Sequence, residues 1–227
     1  MSLNQILAIT ENISVNDQRF VGQVLSRNQR ISTSEILTVV PFQFTLTPMK
    51  YLYYSENRDL LANLRYYDKA LTQYLNFGST GWVNYIAYQG QLNSAQISSC
   101  QWQASSANKN LILGNLPSVP STTYIVRAGD FCQVGLYSYI ATQDVQRGGG
   151  STVTIPVHRN LLTTVTSPIN AVIGEYGTTV SMGGFAYTGV TFPVILREYP
   201  TYTLMPITND SFIAWDGNFV AFEAVTT

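Results

Sequence analysis

The feature that most constrains this chain is a hydrophobic period of two. Phe42-Gln43-Phe44-Thr45-Leu46-Thr47 puts Phe42, Phe44 and Leu46 on one side of an extended backbone and Gln43, Thr45 and Thr47 on the other. That pattern is a half-buried strand, and it cannot lie on a helix without breaking up its apolar face. The strand is expected to run over residues 36–47, with Phe20–Leu25 as its partner and Ser26–Ser34 as the turn between them. Alternation returns in Val153, Ile155 and Val157, and in the closing segment. There Phe219, Ala221 and Glu223 face one way, and Val220, Phe222 and Ala224 the other.

One segment reads clearly as a helix. Leu60, Leu61 and Leu64 form a stripe at helical spacing, with Ser55 placed to cap the N-terminus. Glu56 and Asp59 come early and Arg65 late, which suits the helix dipole. The helix is expected at about 56–66, with a shorter one at 3–10. Further strands are expected at 82–88, 97–103, 110–113, 191–197 and 202–205. Asp216-Gly217 is expected to join strands 211–215 and 218–225 as a hairpin. Leu116-Pro117-Ser118-Val119-Pro120-Ser121 breaks structure twice. Beyond it, two short strands flank the Gly129-Asp130 turn and residues 137–145 and 151–157 follow as strands. The fold class is therefore mainly β with one principal helix (α+β): a β-sandwich or barrel made of 1–120 and about 167–227, carrying a small all-β module at 121–166.

Composition narrows the function. Only 11% of the 227 residues are charged, against roughly 25% in an average domain. The net charge is −1 and 45% of residues are hydrophobic. Disorder is excluded by the hydrophobic content. Binding to nucleic acid phosphates is not expected without a basic field. A nearly neutral polar surface offers little self-repulsion and favours association. No apolar run reaches the roughly 18 residues that span a bilayer. The start lacks a basic segment and a signal-peptide core, so assembly in a cytosol is expected. Cys100 and Cys132, 32 residues apart, are expected to be buried free thiols. The sequons at Asn12 and Asn209 carry no meaning without secretion.

Chemistry is hard to build from this inventory. One histidine, His158, and two distant cysteines cannot complete a zinc site, and His158 is expected at a strand end or surface. Gly148-Gly149-Gly150-Ser151 lacks the lysine of a phosphate loop and reads as a hairpin connection. Glycoside hydrolysis needs two carboxylates roughly 5–9 Å apart. The candidates Asp130, Asp144, Glu198, Asp216 and Glu223 each have a simpler place: Asp130 and Asp216 in turns, Glu223 on the outward face of a strand. No catalytic, cofactor or metal residue is assigned, and an enzyme is not expected. Tyr51, Tyr53, Tyr54, Tyr66, Tyr67 and Tyr74 gather around the helix, with Trp82, Tyr85, Tyr88 and Trp102 nearby. Such residues serve a core, a protein interface or sugar stacking.

The order of elements resembles the distal-tail-like or minor tail proteins of tailed bacteriophages. The likeness rests on a strand pair, a helix starting near Tyr54-Ser55-Glu56-Asn57-Arg58, and Gly81-Trp82. It rests also on Arg127-Ala128-Gly129-Asp130-Phe131-Cys132-Gln133-Val134-Gly135, Tyr139-Ile140-Ala141-Thr142-Gln143-Asp144-Val145, Thr152-Val153-Thr154-Ile155 and Leu161-Leu162, which resemble the small β module inserted in those proteins. The resemblance implies a structural virion protein, assembled in the host cytoplasm. It would form a ring, often hexameric, between the tail tube and the receptor-binding apparatus, with strands continued across neighbouring subunits. Partners would be copies of itself and neighbouring tube and baseplate proteins. Phe42, Phe44, Leu46, Tyr51, Tyr53 and Tyr54 are the candidate interface. No C-terminal receptor-binding domain is recognised, so direct host recognition is not implied. The alternative is a carbohydrate-binding β-sandwich module using Tyr and Trp stacking. A third class is a hydrolase working through the carboxylates.

Overall fold

The computed structural model describes residues 3–17, 21–25, 31–35, 41–66, 71–78, 80–105, 108–177, 180–182 and 185–225, with only the backbone of 21–25, 31–35, 66, 180, 182 and 185. The chain is mainly β, as the period of two implies. It opens with α1 (Asn4–Ala8), β1 (Thr10–Asn16), β2 (Val21–Leu25), β3 (Ile31–Glu35), β4 (Gln43–Pro48), β5 (Tyr51–Tyr53), α2 (Tyr54–Tyr66) and β6 (Gln73–Asn76). A 3-10 turn at Val83–Tyr85 leads to α3 (Ser94–Ser99), β7 (Gln101–Trp102), β8 (Asn110–Gly114), β9 (Tyr124–Val126), β10 (Phe131–Val134), β11 (Tyr137–Ile140), β12 (Val145–Gln146) and β13 (Val153–Pro156). Then come β14 (Ile169–Asn170), β15 (Val172–Ile173), β16 (Tyr176–Gly177), β17 (Val180–Met182), β18 (Phe185–Tyr187), β19 (Thr191–Glu198), β20 (Thr201–Ile207), β21 (Asp210–Asp216) and β22 (Phe219–Glu223).

The main sheet runs β1-β4-β22-β19-β6, antiparallel throughout. The alternation of β4 is realised in full: Phe42, Phe44 and Leu46 are fully buried, while Gln43, Thr45 and Thr47 are half-exposed. Phe44 and Phe42 meet Phe192 edge-on at 5.0 and 5.1 Å, which is a favourable ring geometry. The partner differs from the expected one. β4 pairs with β1 (Ile13 opposite Leu46, Val15 opposite Phe44), not with Phe20–Leu25. β2 closes its own hairpin with β3, whose residues fall partly in the expected turn. Residues 26–30 and 36–40 lie outside the described residues.

A second core is built between β6 and β19, which are themselves neighbours in the main sheet. It gathers side chains from Leu92 to Ile173 and includes Trp102, Leu111, Leu113, Tyr139 and Ile155, all fully buried. This is wider than the expected 121–166. The reason is pairing: β8 lies in register with β13 (Leu111 opposite Ile155), and β7 pairs with β14. Gly148-Gly149-Gly150 is not a hairpin connection, since β12 pairs with β9 and β13 with β8.

Three further expectations change. Residues 82–88 contain a 3-10 turn instead of a strand. The 97–103 strand gives way to α3, capped reciprocally by Asn93 and Gln96 at 2.9 Å each way, before the short β7. Asp216-Gly217 does not close a hairpin: β21 pairs with β20 and β5, while β22 pairs with β19 and β4. The pair turns the chain from one sheet into another, with Gly217 at φ +93°. The hairpin turn of β21 is instead at Asn209, φ +69°, between Ile207 and Asp210.

Candidate interface

The expected interface residues separate into two groups. Phe42, Phe44 and Leu46 are consumed by the chain's own core and present nothing to a neighbour. The strand pattern that singled them out marks a buried face, and that face packs internally. Tyr51 and Tyr53 are about half exposed (51% and 47%), and Tyr54 is half-buried. They lie on β5 and at the start of α2, on the edge of a three-stranded sheet ordered β20-β21-β5. Tyr53 and Tyr51 flank Phe212 of β21 at 4.9 and 6.1 Å between ring centroids.

Helix α2 begins at Tyr54, two residues earlier than expected, so Ser55 is not its N-cap. Its hydroxyl donates to Asp210 Oδ2 at 2.6 Å, and its backbone N–H donates to Asp210 Oδ1 at 3.3 Å. These bonds hold the Asp210 carboxyl below the usual carboxylate range, the Ser55 hydroxyl contributing most. Arg65 Nη2 donates to the Tyr202 hydroxyl at 3.0 Å, and Tyr202 lies edge-on to Trp215 at 5.4 Å. Both ends of α2 are thus fastened to the β20–β21 hairpin.

Strand β20 was expected at 202–205, but its side chains were not among the candidate interface residues. Its Leu204, Met205 and Ile207 are 48%, 46% and 36% exposed. Among the described residues, β20 pairs with β21 alone, leaving its other edge open. The signal was present as Thr201–Ile207, a seven-residue strand with no charged residue.

The carboxylates occupy unlike settings. Asp130 is buried and accepts the N–H groups of Gln89 and Arg127, both at 2.8 Å. Burial raises its pKa, and these bonds counter part of the rise. Asp144 is exposed and accepts from Ala128 N at 2.9 Å and Arg127 Nη1 at 2.7 Å. Both bonds hold its pKa down, the backbone one most. Glu198 and Asp216 are exposed. Glu223 is not on an outward face: it is buried and bridged by Arg159 through two 2.6 Å bonds.

His158 is half-buried just beyond β13, with Nδ1 accepting from Ile140 N at 3.0 Å, beside a cleft of about 550 Å³. Cys100 and Cys132 are buried free thiols, and burial pushes the Cys100 pKa up to about 11. Among the described residues, no three His, Cys, Asp or Glu side chains group as metal ligands, and no helix is long and apolar enough to cross a membrane.

The aromatics proposed for sugar stacking belong largely to the core. Trp102 is fully buried with Nε1 donating to Gln133 O at 2.7 Å, and Tyr85 packs between Phe77 and Phe131. Trp82 is half-buried at a cleft of about 380 Å³. The hydroxyls of Thr10 and Thr80 there are already donated to Ile6 O and Phe77 O. Tyr67 lies outside the described residues. The sequence matches no protein-family model and no curated protein.

Proposed function

We propose that this chain is a structural subunit of a phage tail tip, forming an adaptor ring between the tail tube and the receptor-binding apparatus. The observation that carries the reading is the open edge of β20. A free strand edge is a template for another strand, and soluble proteins blunt such edges with charge, proline, inward-pointing charged residues or a covering element. β20 has no charge over seven residues and exposes Leu204, Met205 and Ile207 beside it. Pro206, near the end of the strand, removes the N–H there and leaves Thr201–Met205 as the stretch open to pairing. An edge left this way is suited to permanent pairing in an assembly.

The insertion of a compact β module between two adjacent strands of the main sheet agrees with what the resemblance implies. So does the scarcity of charge, since few charges mean little desolvation cost at a permanent contact. The subunit would act in the virion after assembly in the host cytoplasm, with copies of itself in a ring, hexameric by resemblance, and with tube and baseplate proteins on either side. Light scattering of the purified chain, together with negative-stain images of the virion, is expected to show an oligomer of fixed number. Monomers in solution and no ring in the virion would overturn the reading.

A further inference from the structure

Between the two cores runs a seam of buried polar groups in otherwise apolar packing. Arg159 and Glu223 both have side chains with no exposed surface and join by two parallel 2.6 Å bonds. Arg159 Nη2 also donates to Ser138 O at 2.7 Å, and Phe42 N donates to Glu223 Oε2 at 3.1 Å. The guanidinium lies 5.1 Å from the Phe42 ring centroid and 5.3 Å from that of Tyr139, one ring from each core. Further along, Thr191 N donates to Gln133 Oε1 at 2.9 Å, and Ser138 Oγ donates to Thr191 O at 3.1 Å. Asn76 Nδ2 donates to Thr191 Oγ1 at 2.9 Å, tying the same point to β6.

We infer that this seam is an orientation latch, fixing the inserted module in one pose on the main sheet. The chain enters the module after β6 and leaves it before β19, and two connections side by side leave a swing. The apolar packing of Phe131 and Val172 on the main core and the Val190 N–H bond to Gly174 O oppose that swing from one side. Apolar contact is non-directional and does not choose between nearby poses. Fork-like guanidinium–carboxylate bonding is directional and does choose. The anchors lie on two strands: Thr191 on β19, and Glu223 on β22 opposite Val194. Three residues of strand separate Thr191 from Val194, so the two anchors sit about 10 Å apart along the sheet. Two directional anchors at that spacing remove the swing. Stability alone does not explain such a pair, because a buried ion pair is commonly replaceable by apolar groups at little cost, whereas loss of one partner strands a charge.

The test uses spin labels at Ser151→Cys on the module and Asn12→Cys on β1, both exposed positions, with Cys100 and Cys132 shielded by burial. In the otherwise unaltered chain the distance distribution is expected to be single and narrow. Arg159→Met together with Glu223→Gln removes both charges while Gln keeps an acceptor for Phe42 N. This double variant is expected to unfold at a denaturant concentration close to the parent, and well above either single variant, yet to show a broadened distance distribution. A distribution as narrow as the parent's would overturn the latch. Amide exchange in the unaltered chain decides independently of any variant. The Thr191 and Phe42 N–H groups, which donate across the seam, are expected to exchange as slowly as those of Phe44 and Ala221. Faster exchange at these two amides means that the seam opens by itself, and the idea fails.

Discussion

At the scale of single residues, two aspartates respond to pH in opposite directions. Asp144 is held below the ordinary carboxylate range by the Ala128 N–H and by Arg127. Its ionised form therefore stabilises the fold above that range, and the contribution fades as pH falls through the depressed value. Asp130 is raised, chiefly by burial. Its protonated form is the favoured one, so its contribution is fully present below the ordinary range and is lost as pH rises through the raised value. Asp144→Asn should accordingly lose more stability at about pH 7 than at about pH 3, whereas Asp130→Asn should be relatively better tolerated at the higher pH. Urea unfolding of the two variants and the parent across that range checks the signs. Equal pH trends for the two variants would contradict the assigned environments. The effect of Asp144 is modest because its bonds are solvent-screened.

At the scale of elements, the corner at Gly217 has a stronger claim on glycine than the hairpin it resembles. A Cβ there would meet Pro200 only at ordinary contact distance, 3.7 Å, so space is not the obstacle. Its φ of +93° is. Gly217→Ala should cost about 1–2 kcal/mol through backbone strain alone. The loss is measurable as a lowered denaturant midpoint with an unchanged slope; an unaffected midpoint would show that the corner relaxes. This corner also shows why the sequence was readable only in part. β4 and β22 alternate because one face is buried, and burial leaves a period that needs no knowledge of partners. Which strands meet is decided by distant segments: Asp-Gly signals a turn, but not whether the flanking strands pair. Trp82–Tyr88 has strand-forming residues, yet packing of Tyr85 between Phe77 and Phe131 overrides that local preference. The Asn93…Gln96 spacing that caps α3 went unread, because the apolar residues of 97–103 suggested a strand. Glu223 shares a face with Phe219 and Ala221, both buried in the main core, and Arg159, 64 residues earlier in the chain, supplies the partner charge that lets a carboxylate sit there.

At the scale of the whole molecule, the candidate site was half legible for the same reason. Large apolar residues on a strand announce a buried face, and Phe42, Phe44 and Leu46 are buried by this chain rather than by its neighbours. The surface that remains apolar is set by what the fold fails to cover: the outer edge of β20 with Leu204, Met205 and Ile207, and, across β21 from it, Tyr51 and Tyr53 on β5. Charge on this edge is the means by which soluble proteins prevent strand addition, so introducing it tests what the edge is for. Leu204→Lys with Met205→Lys replaces two side chains that are about half exposed (48% and 46%) and contribute little to either core. Surface substitutions of this kind usually change stability by only about 0.5 kcal/mol. The variant is therefore expected to keep the parent's circular dichroism spectrum and melting temperature. Its association, followed by light scattering across a concentration series, should be lost, because two ammonium groups would have to be desolvated in the contact. A variant that still assembles with the parent's stoichiometry would remove the β20 edge from the interface and with it the observation on which the tail-ring reading stands.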